Sequence, residues 1–194
     1  MICAVVLAAG RSTRMGAQKL LLPLGGKPII RRIVDELLAA SLGDISIVVG
    51  AGGPPIRNAL DRCAVRFVTN HDPQSDMLGS IRCGLRVLPE SCTGVMVVLG
   101  DQPGITREMI GKLISTFESQ GKDIVAPEHG GRRGHPVIFA AQYREELLST
   151  HDDAGLRGLL ASHPDDVERV AVSEDNLLAD MDTPEDYAWI KERL

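Results

Sequence analysis

The chain has 194 residues, of which 44% are hydrophobic and 24% charged, a balance typical of a globular protein rather than a disordered one. With 26 acidic and 21 basic residues the formal net charge is -5, which argues against bulk electrostatic binding to nucleic acid or to an anionic membrane. Aromatic residues make up 3%, too few for a base-stacking surface, and no apolar run approaches the roughly 18 residues that a membrane span needs.

Short apolar runs alternate with amphipathic segments along the chain. Residues 2–8 form an apolar run, typical of a strand buried on both faces, and no basic segment precedes it as one would in a signal peptide. The predicted strands are 2–8, 45–49, 65–69, 94–99, 124–127, 137–139 and 167–172. The predicted helices are 28–40, 55–62, 80–88, 106–119, 142–149, 156–162 and 184–193.

This alternation predicts the α/β class, with a Rossmann-like three-layer α/β/α arrangement around a mainly parallel, twisted sheet. No repeat, low-complexity tract or linker divides the sequence, so a single domain over residues 1–194 is expected. Ligands of such sheets bind beyond the carboxyl ends of the strands. Residues that directly follow strands are therefore the candidates for function.

The cysteines and most of the histidines lack the spacing of metal ligands. No C-x-x-C pair is present, which favours reduced thiols in a cytoplasmic protein over a zinc site or a disulfide scaffold. The four cysteines are Cys3, Cys63, Cys83 and Cys92. Four histidines are expected at the surface: His71, His129, His151 and His163.

The loop after the first predicted strand gathers small and basic residues. Residues 7–19 have the sequence L-A-A-G-R-S-T-R-M-G-A-Q-K. Small residues let the backbone approach a ligand, and successive backbone N–H groups can bind phosphates. Arg11, Arg14 and Lys19 add three cations, which suit phosphoryl transfer because negative charge builds up on the reacting oxygens. The segment matches neither the P-loop nor the dinucleotide-binding pattern, and the alternative is an ordinary turn with solvated basic residues.

Two acidic segments lie near the ends of other elements. Asp101 directly follows the predicted strand 94–99, where a carboxylate could bind Mg²⁺ beside a triphosphate or could cap the following turn. In D-M-D-T-P-E-D, residues 180–186, the start of the last helix accounts for Thr183 and the residues after it. No helix cap requires Asp182, which makes it the candidate partner of Asp101.

A Gly-rich segment between two later strands carries charge suited to an anionic acceptor. Residues 130–137 have the sequence G-G-R-R-G-H-P-V, which places Arg132, Arg133 and His135 among glycines. Arg133 and His135 are the candidates for acceptor binding. The alternative is a solvated hairpin tip whose turn is fixed by His135.

Residues 7–28, L-A-A-G-x-S-x-R-M-G-x-x-K-L-L-L-P-L-G-G-K-P, resemble the signature of nucleotidyltransferases that build pyrophosphate linkages. Within that family, whose fold is that of the nucleotide-diphospho-sugar transferases, the segment is most similar to the molybdenum-cofactor cytidylyltransferases. The resemblance implies that Arg14 and Lys19 hold a triphosphate and stabilise the transition state. It also implies nucleotide contacts from the start of the segment, with base and sugar against the backbone and phosphates against the glycine: Leu7, Ala8, Ala9, Gly10 and Arg11.

The resemblance continues through later motifs. It implies that Asp101 and Asp182 bind Mg²⁺, that Asn70 and Ser80 contact the ribose or base, and that G-H-P-V with His135 lies at the acceptor. Without the resemblance, Ser80 could simply cap its helix. Departures from the family pattern are Asp76 in place of glycine, Leu78-Gly79 in place of a serine-rich pair, and Asp152 in place of glycine before Leu156-Arg157. The nucleotide-binding part would cover about residues 1–105 and the acceptor-binding part about 106–194.

Ala9 bears on the choice of nucleotide. Guanylyl-transferring relatives typically have L-A-G-G where this chain has L-A-A-G. The extra methyl group favours a smaller pyrimidine, so CTP is expected, although one methyl discriminates by only about 1–3 kcal/mol and leaves GTP and ATP open.

The expected reaction is attack by the terminal phosphate of molybdopterin on the α-phosphorus of Mg-CTP, with release of pyrophosphate. The resemblance implies delivery of the product to a xanthine-dehydrogenase-type apoenzyme or its chaperone. The alternatives are a guanylyltransferase for the same cofactor, a nucleotidyltransferase for another phosphorylated acceptor such as a sugar phosphate, and a cofactor-carrying chaperone without turnover.

Overall fold

A computed structural model describes residues 1–10, 18–119, 121–172 and 181–194. The strands are β1 (Ile2–Ala8), β2 (Pro23–Leu24), β3 (Lys27–Pro28), β4 (Ile45–Val49), β5 (Arg66–Thr69), β6 (Gly94–Leu99), β7 (Ile124–His129), β8 (Arg132–Arg133), β9 (Val137–Ala140) and β10 (Val167–Ala171). The α-helices are α1 (Ile29–Ala39), α2 (Pro54–Ala59), α3 (Met77–Leu85), α4 (Arg107–Ser119), α5 (Arg144–Ser149), α6 (Leu156–Ser162) and α7 (Pro184–Arg193). Short 3₁₀ turns lie at Lys19–Leu21, Ala141–Tyr143 and Pro164–Asp166.

The main sheet has the strand order β10-β7-β9-β6-β1-β4-β5, with β8 paired to β7. Strands β6, β1, β4 and β5 are parallel, as are β10 and β7. Strand β9 runs antiparallel between β6 and β7. It follows β7 through a hairpin, which is too short for the crossover of a dozen or more residues that a parallel pairing needs. The predicted α/β class with a mainly parallel sheet is confirmed.

Helices cover both faces of the sheet because the side chains of its strands alternate between them. In β1, Ala4 and Val6 pack with buried residues of α1 and α4, whereas Cys3 and Val5 pack with buried residues of α3, α5 and α6. Both clusters consist of apolar side chains almost wholly removed from water. These two cores build the three-layer α/β/α arrangement that the sequence predicted.

Several local features differ from the predicted elements, among them β8, which was not predicted, and the two that follow. The small antiparallel pair β2–β3 was not predicted; its turn uses Gly25 and Gly26 at φ +60° and +79°, backbone angles that glycine adopts without steric cost. Helix α3 begins three residues earlier than predicted, because the Asp76 carboxylate caps it by accepting a hydrogen bond from Gly79 N at 2.8 Å.

All four cysteines are free thiols. Among the residues that the structure describes, none of the helices has the length and apolar character needed to cross a membrane.

Candidate functional site

The carboxyl ends of the parallel strands meet at one edge of the sheet, and the backbone there is tightly packed. Gly100, just after β6, donates a hydrogen bond from its N–H to Leu7 O in β1 at 3.0 Å. A Cβ atom at Gly100 would lie 2.7 Å from that oxygen, and one at Gly50 would lie 3.0 Å from Ala9 O. The approach at Gly100 leaves no room for a side chain, and the one at Gly50 is tight. These contacts bring the residues after β1, β4 and β6 side by side.

The first candidate nucleotide-binding residues lie at this edge. Ala8 is buried, Leu7 and Ala9 are half-buried, and Gly10 is exposed. A Cβ atom at Gly10 would meet nothing within 4 Å among the described residues. Arg11 and Arg14 belong to residues 11–17, outside the described part of the chain.

Lys19 brings together two carboxylates that lie far apart in the sequence. Its Nζ donates to Asp101 Oδ2 at 2.6 Å and to Asp182 Oδ1 at 2.9 Å. The Lys19 side chain is 12% exposed, against 23% for Asp101 and 36% for Asp182. Burial alone would lower the pKa of Lys19, but the hydrogen bonds and charges of the two aspartates outweigh it and raise that pKa. The ammonium is therefore charged at neutral pH.

The backbone around Asp182 is fixed by the start of α7. Thr183 Oγ1 accepts from Asp186 N at 3.2 Å, while Asp186 Oδ2 accepts from Thr183 N at 2.8 Å and from Asp182 N at 3.0 Å. These hydrogen bonds, first those from Thr183, lower the pKa of Asp186. The cap uses the N–H of Asp182 and leaves its carboxylate to reach Lys19. The predicted N-cap at Thr183 is confirmed.

The donor set at Asp101 and Asp182 fits a hard divalent cation. Magnesium binds through one or two protein carboxylates and completes its shell with water and substrate phosphates. Over the described ranges, no group of three or more His, Cys, Asp or Glu residues could hold a metal ion, so a closed site of the structural-zinc type is not built there. The Lys19 ammonium now lies between both carboxylates, in the kind of position that a bound cation would take.

Asn70 and Ser80 are brought together by β5 and α3. Asn70 follows β5, and its Nδ2 donates to Ser80 Oγ at 3.1 Å, with both residues buried. Asn70 Oδ1 accepts from Asp72 N at 3.1 Å, so the amide is held from two sides. Ser80 lies in α3 rather than at its cap, which is Asp76, and its hydroxyl keeps a proton to donate.

The Gly-rich segment separates into an exposed tip and a half-buried histidine. Arg132 and Arg133 form β8 and are exposed. His135 is half-buried, and its Nε2 atom is buried with no hydrogen-bond partner in the described part of the chain. Burial, aided by the charge of Arg157 and opposed by that of Asp101, lowers the pKa of His135 to about 4. His135 is therefore a neutral imidazole at neutral pH, and it lies within electrostatic reach of Asp101.

His151 and His163, expected at the surface, are half-buried and form a cluster with Glu146. Both Nε2 atoms lie against the Glu146 carboxylate, at 2.6 Å from Oε1 for His151 and 2.9 Å from Oε2 for His163. Their side chains are 13% and 29% exposed. The two histidines follow Glu146 by five and seventeen residues, spacings that match no sequence motif. The packing of α5 against α6 is what brings the three side chains together. His129 is half-buried beside Val172 O at 2.8 Å, while His71 is exposed as expected.

The mostly parallel sheet, the flanking helices and the acidic and basic residues at the carboxyl edge define a Rossmann-like nucleotidyltransferase. Residues 4–167 match the family model described as the MobA-like NTP transferase domain. The chain belongs to that family and is a nucleotidyltransferase.

Curated relatives span the chain to different extents. The nicotine blue oxidoreductase of Paenarthrobacter nicotinovorans is 29% identical over 191 residues, which cover 95% of this chain and 93% of that protein. The bifunctional protein GlmU of Shouchella clausii is 32% identical over 165 residues, or 79% of this chain. The chain covers 34% of the length of that GlmU, about one third.

Solved structures share the whole fold. Rv0371c from Mycobacterium tuberculosis superposes with a TM-score of 0.88 at 28% identity, covering 98% of this chain and 97% of that one. A nucleotidyl transferase from Methanothermobacter thermautotroptrophicus gives 0.86 at 26% identity, covering 99% and 96%. A structure of Rv0371c in complex with manganese gives 0.85 at 27% identity, covering 100% and 99%. Nucleotidyltransferases of this family typically use divalent metals.

Proposed function

We propose that this protein transfers CMP from Mg²⁺-bound CTP to the terminal phosphate of molybdopterin, the organic part of the molybdenum cofactor, and releases pyrophosphate. The observation that carries the proposal is the convergence of Lys19, Asp101 and Asp182 at the carboxyl edge of the sheet. Two carboxylates and a buried ammonium at one point suit a metal–triphosphate, whose charge must be balanced as the bond to the leaving group breaks.

The nucleotide would lie over residues 1–105 and the acceptor over residues 106–194. The backbone of Leu7, Ala8 and Ala9 would face the base and sugar, with Gly10 against the phosphates. The Asn70–Ser80 pair would offer the serine hydroxyl to the ribose or base. Arg11 and Arg14 are retained as phosphate-binding residues on the basis of the family resemblance.

The chemistry needs alignment and charge rather than a proton acceptor. An oxygen of the acceptor phosphate, already ionised near neutral pH, forms a bond to the α-phosphorus. The bond between the α-phosphorus and the oxygen that bridges to the β-phosphate breaks, and pyrophosphate leaves with its electron pair. Asp101 and Asp182 would hold Mg²⁺, which when bound neutralises charge on the phosphate oxygens. Lys19 would turn from the carboxylates to the triphosphate and donate to its developing charge.

On the acceptor side, His135 and Arg133 are the proposed contacts. A neutral His135 near Asp101 can donate or accept one hydrogen bond without adding charge. Arg133, exposed beside Glu128 in the β7–β8 pair, would meet the anionic periphery of the acceptor. A cytoplasmic location and delivery of the product to a xanthine-dehydrogenase-type apoenzyme or its chaperone complete the proposal.

The GlmU relative favours a second candidate. At 32% identity over most of this chain, it supports nucleotidyl transfer to another phosphorylated acceptor, such as a sugar phosphate. The L-A-A-G sequence supports CTP over GTP by the steric argument from Ala9, and a guanylyltransferase for the same cofactor remains the neighbouring alternative.

The test is pyrophosphate release by the purified protein with Mg²⁺, each of the four nucleoside triphosphates, and either molybdenum cofactor or a hexose 1-phosphate. The proposal expects release with CTP and the cofactor, and a rise in melting temperature with Mg-CTP alone. Turnover with GTP only would refute the nucleotide assignment, and turnover with the hexose phosphate only would refute the acceptor. Nucleotide binding without turnover of any acceptor would point to the carrier role instead.

A further inference from the structure

The side chain of Gln18 joins the turn that carries Lys19 to the loop after β4. Gln18 directly precedes the 3₁₀ turn Lys19–Leu21, and its side chain does not cap that turn. Its Nε2 atom instead donates a hydrogen bond to Gly52 O at 3.0 Å, 34 residues further along the chain. The contact links two segments at the edge of the sheet where Lys19 meets its two carboxylates.

The turn that carries Lys19 is too short to hold its position alone. Leu21 N donates to Gln18 O at 2.9 Å, and Leu22 N donates to Lys19 O at 3.2 Å. Turns of this kind have poor hydrogen-bond geometry and rarely extend beyond a few residues. The position of the turn therefore depends on its contacts with neighbouring elements.

Contacts with neighbouring elements hold both ends of this turn. Leu20 is buried, and its Cδ1 atom would lie 3.4 Å from a Cβ atom at Gly100 after β6. Leu22 O accepts a hydrogen bond from Ile29 N at 3.1 Å, which holds the far end of the turn. The Gln18 amide holds the near end. Loss of the Gln18 contact would therefore release the end at which the lysine lies.

The Gly52 carbonyl belongs to a loop whose backbone is fixed. Gly53 N donates to Gly50 O at 3.0 Å, and Arg57 N donates to Gly53 O at 3.0 Å in the first turn of α2. A Cβ atom at Gly50 would lie 3.0 Å from Ala9 O, so the loop packs closely against the end of β1. An acceptor on a fixed backbone allows one side-chain amide to fix the turn opposite it.

The reach of the Lys19 ammonium depends on where its backbone lies. The Nζ atom, on a flexible four-carbon stem, meets Asp101 Oδ2 at 2.6 Å and Asp182 Oδ1 at 2.9 Å at the same time. These carboxylates come from different elements, one after β6 and one before α7. From a displaced turn, the ammonium could reach both only with longer hydrogen bonds or a less favourable rotamer.

We propose that Gln18 is a positioning residue for nucleotidyl transfer: its hydrogen bond to Gly52 O holds the turn that places the Lys19 ammonium between the two carboxylates. The inference rests on the proposed function where Lys19 binds the triphosphate, and on the observed contacts alone where Gln18 holds Lys19. Because Gln18 acts through Lys19, its removal should change nucleotide binding only while Lys19 is present.

The first experiment measures how firmly Lys19 is held, without any ligand. The rate at which acetic anhydride acetylates each lysine is followed by mass spectrometry in the wild type, in Gln18→Met and in Gln142→Met. Methionine keeps the length of the glutamine side chain and removes its hydrogen-bond donor. Gln142 is the matched control because its Nε2 also donates a hydrogen bond, to Asp123 Oδ2 at 2.9 Å.

In Gln18→Met, Lys19 should be acetylated about three- to tenfold faster, because the loss of one neutral hydrogen bond raises the population of the released side chain by about that factor. In the wild type the Lys19 side chain is only 12% exposed. Lys122, a half-buried lysine whose Nζ donates to Asp165 O, is the internal reference and should react equally in all three proteins. An unchanged rate at Lys19, or an equal rise at Lys122, would overturn the proposal.

The second experiment asks whether Gln18 acts through Lys19. The Kd for Mg-CTP is measured by calorimetry for Gln18→Met, for Lys19→Met and for the double variant. Gln18→Met alone should raise this Kd about three- to tenfold, and Gln142→Met should not change it. In the Lys19→Met background, Gln18→Met should change the Kd by less than about twofold, because the group that Gln18 positions is gone. An undiminished loss of affinity in that background would overturn the positioning role.

The two experiments separate this inference from the proposed function. A wild type that binds no Mg-CTP would refute CTP as the substrate, while the acetylation rates would still decide whether Gln18 holds Lys19. Faster acetylation of Lys19 with an unchanged Kd for Mg-CTP would overturn the role of Gln18 in the reaction, since its hold on Lys19 would then not reach the nucleotide.

Discussion

Two clusters of ionisable side chains differ in the ratio of acidic to basic groups. At the carboxyl edge of the sheet, the Lys19 ammonium faces two carboxylates, Asp101 and Asp182. Between α5 and α6, the Glu146 carboxylate faces two imidazoles, His151 and His163. The first cluster joins residues from three distant segments, whereas the second is built within eighteen residues of chain.

The difference predicts ligand binding at the first cluster and a stabilising role for the second. Carboxylate oxygens are the ligands that a hard divalent cation prefers, and the carboxyl edge of a parallel sheet is where ligands bind in such folds. The Glu146 carboxylate is engaged on both oxygens; burial acts to raise its pKa, but the hydrogen bonds and charges of the two histidines outweigh burial and lower that pKa. We expect substitutions in the first cluster to change ligand binding and turnover, and substitutions in the second to change stability.

The largest effect is expected from Asp101→Asn. Loss of the charged oxygen at the proposed metal site should reduce the rate of pyrophosphate release at least about 10²-fold, since even outer-shell partners of metal ligands are worth 10–100-fold. Asp61→Asn, which changes an aspartate with a 78% exposed side chain, is the control. Turnover within a few-fold of the wild type would show that Asp101 does not serve the metal.

Lys19→Met should weaken the binding of CTP and strengthen the binding of a divalent metal ion. The Kd for CTP should rise about 10- to 100-fold, because charge-assisted hydrogen bonds to the triphosphate are lost. Binding of Mn²⁺ without nucleotide, measured by calorimetry, should tighten, because the ammonium no longer neutralises Asp101 and Asp182. Lys27→Met, at an exposed lysine paired with Asp35, should change neither ligand's affinity. Weaker Mn²⁺ binding in Lys19→Met would contradict the view that the ammonium and the metal compete.

Glu146→Gln should lower the free energy of unfolding at pH 7 by about 1–2 kcal/mol, because two partly buried hydrogen bonds lose their charged acceptor. The lowered pKa of Glu146 means that its contribution is complete above the ordinary value of 4.5 and is lost as pH falls through the folded-state pKa. Urea unfolding at pH 7 and pH 3 should therefore show a difference between wild type and variant that shrinks in acid. A difference that does not change with pH would exclude the ionised carboxylate as its source.

The smallest effect is expected from Ala9→Gly. Removal of the methyl group at the end of β1 should shift the ratio of kcat/KM for CTP over GTP by roughly five- to tenfold toward GTP, the lower end of what one methyl group discriminates. Ala64→Gly, at an exposed position before β5, is the control. A ratio unchanged in Ala9→Gly would remove the steric argument for CTP.

Much of the fold was predictable from local pattern. The strands at residues 2–8, 45–49 and 94–99 were predicted with the observed bounds, because continuous apolar runs report strands buried on both faces. The antiparallel direction of β9 was not predicted. It arises because the chain turns back after β7 and inserts β9 between β7 and β6, a pairing between strands that local sequence does not reveal. The start of α3 was predicted at Ser80, three residues too late, although aspartate is a favoured N-cap residue and Asp76 is the observed cap.

For the candidate site, the sequence predicted that Lys19, Asp101 and Asp182 serve one metal–triphosphate, because parallel strands present their carboxyl ends to one edge and the family resemblance adds the Asp182 position. Only the tertiary structure decided that Lys19 bridges both aspartates, that Gln18 reaches the loop after β4, and that Glu146 engages two histidines. Such contacts depend on side-chain reach between elements that pack side by side. Local sequence patterns report how an element forms, and they do not report which neighbours its side chains will meet.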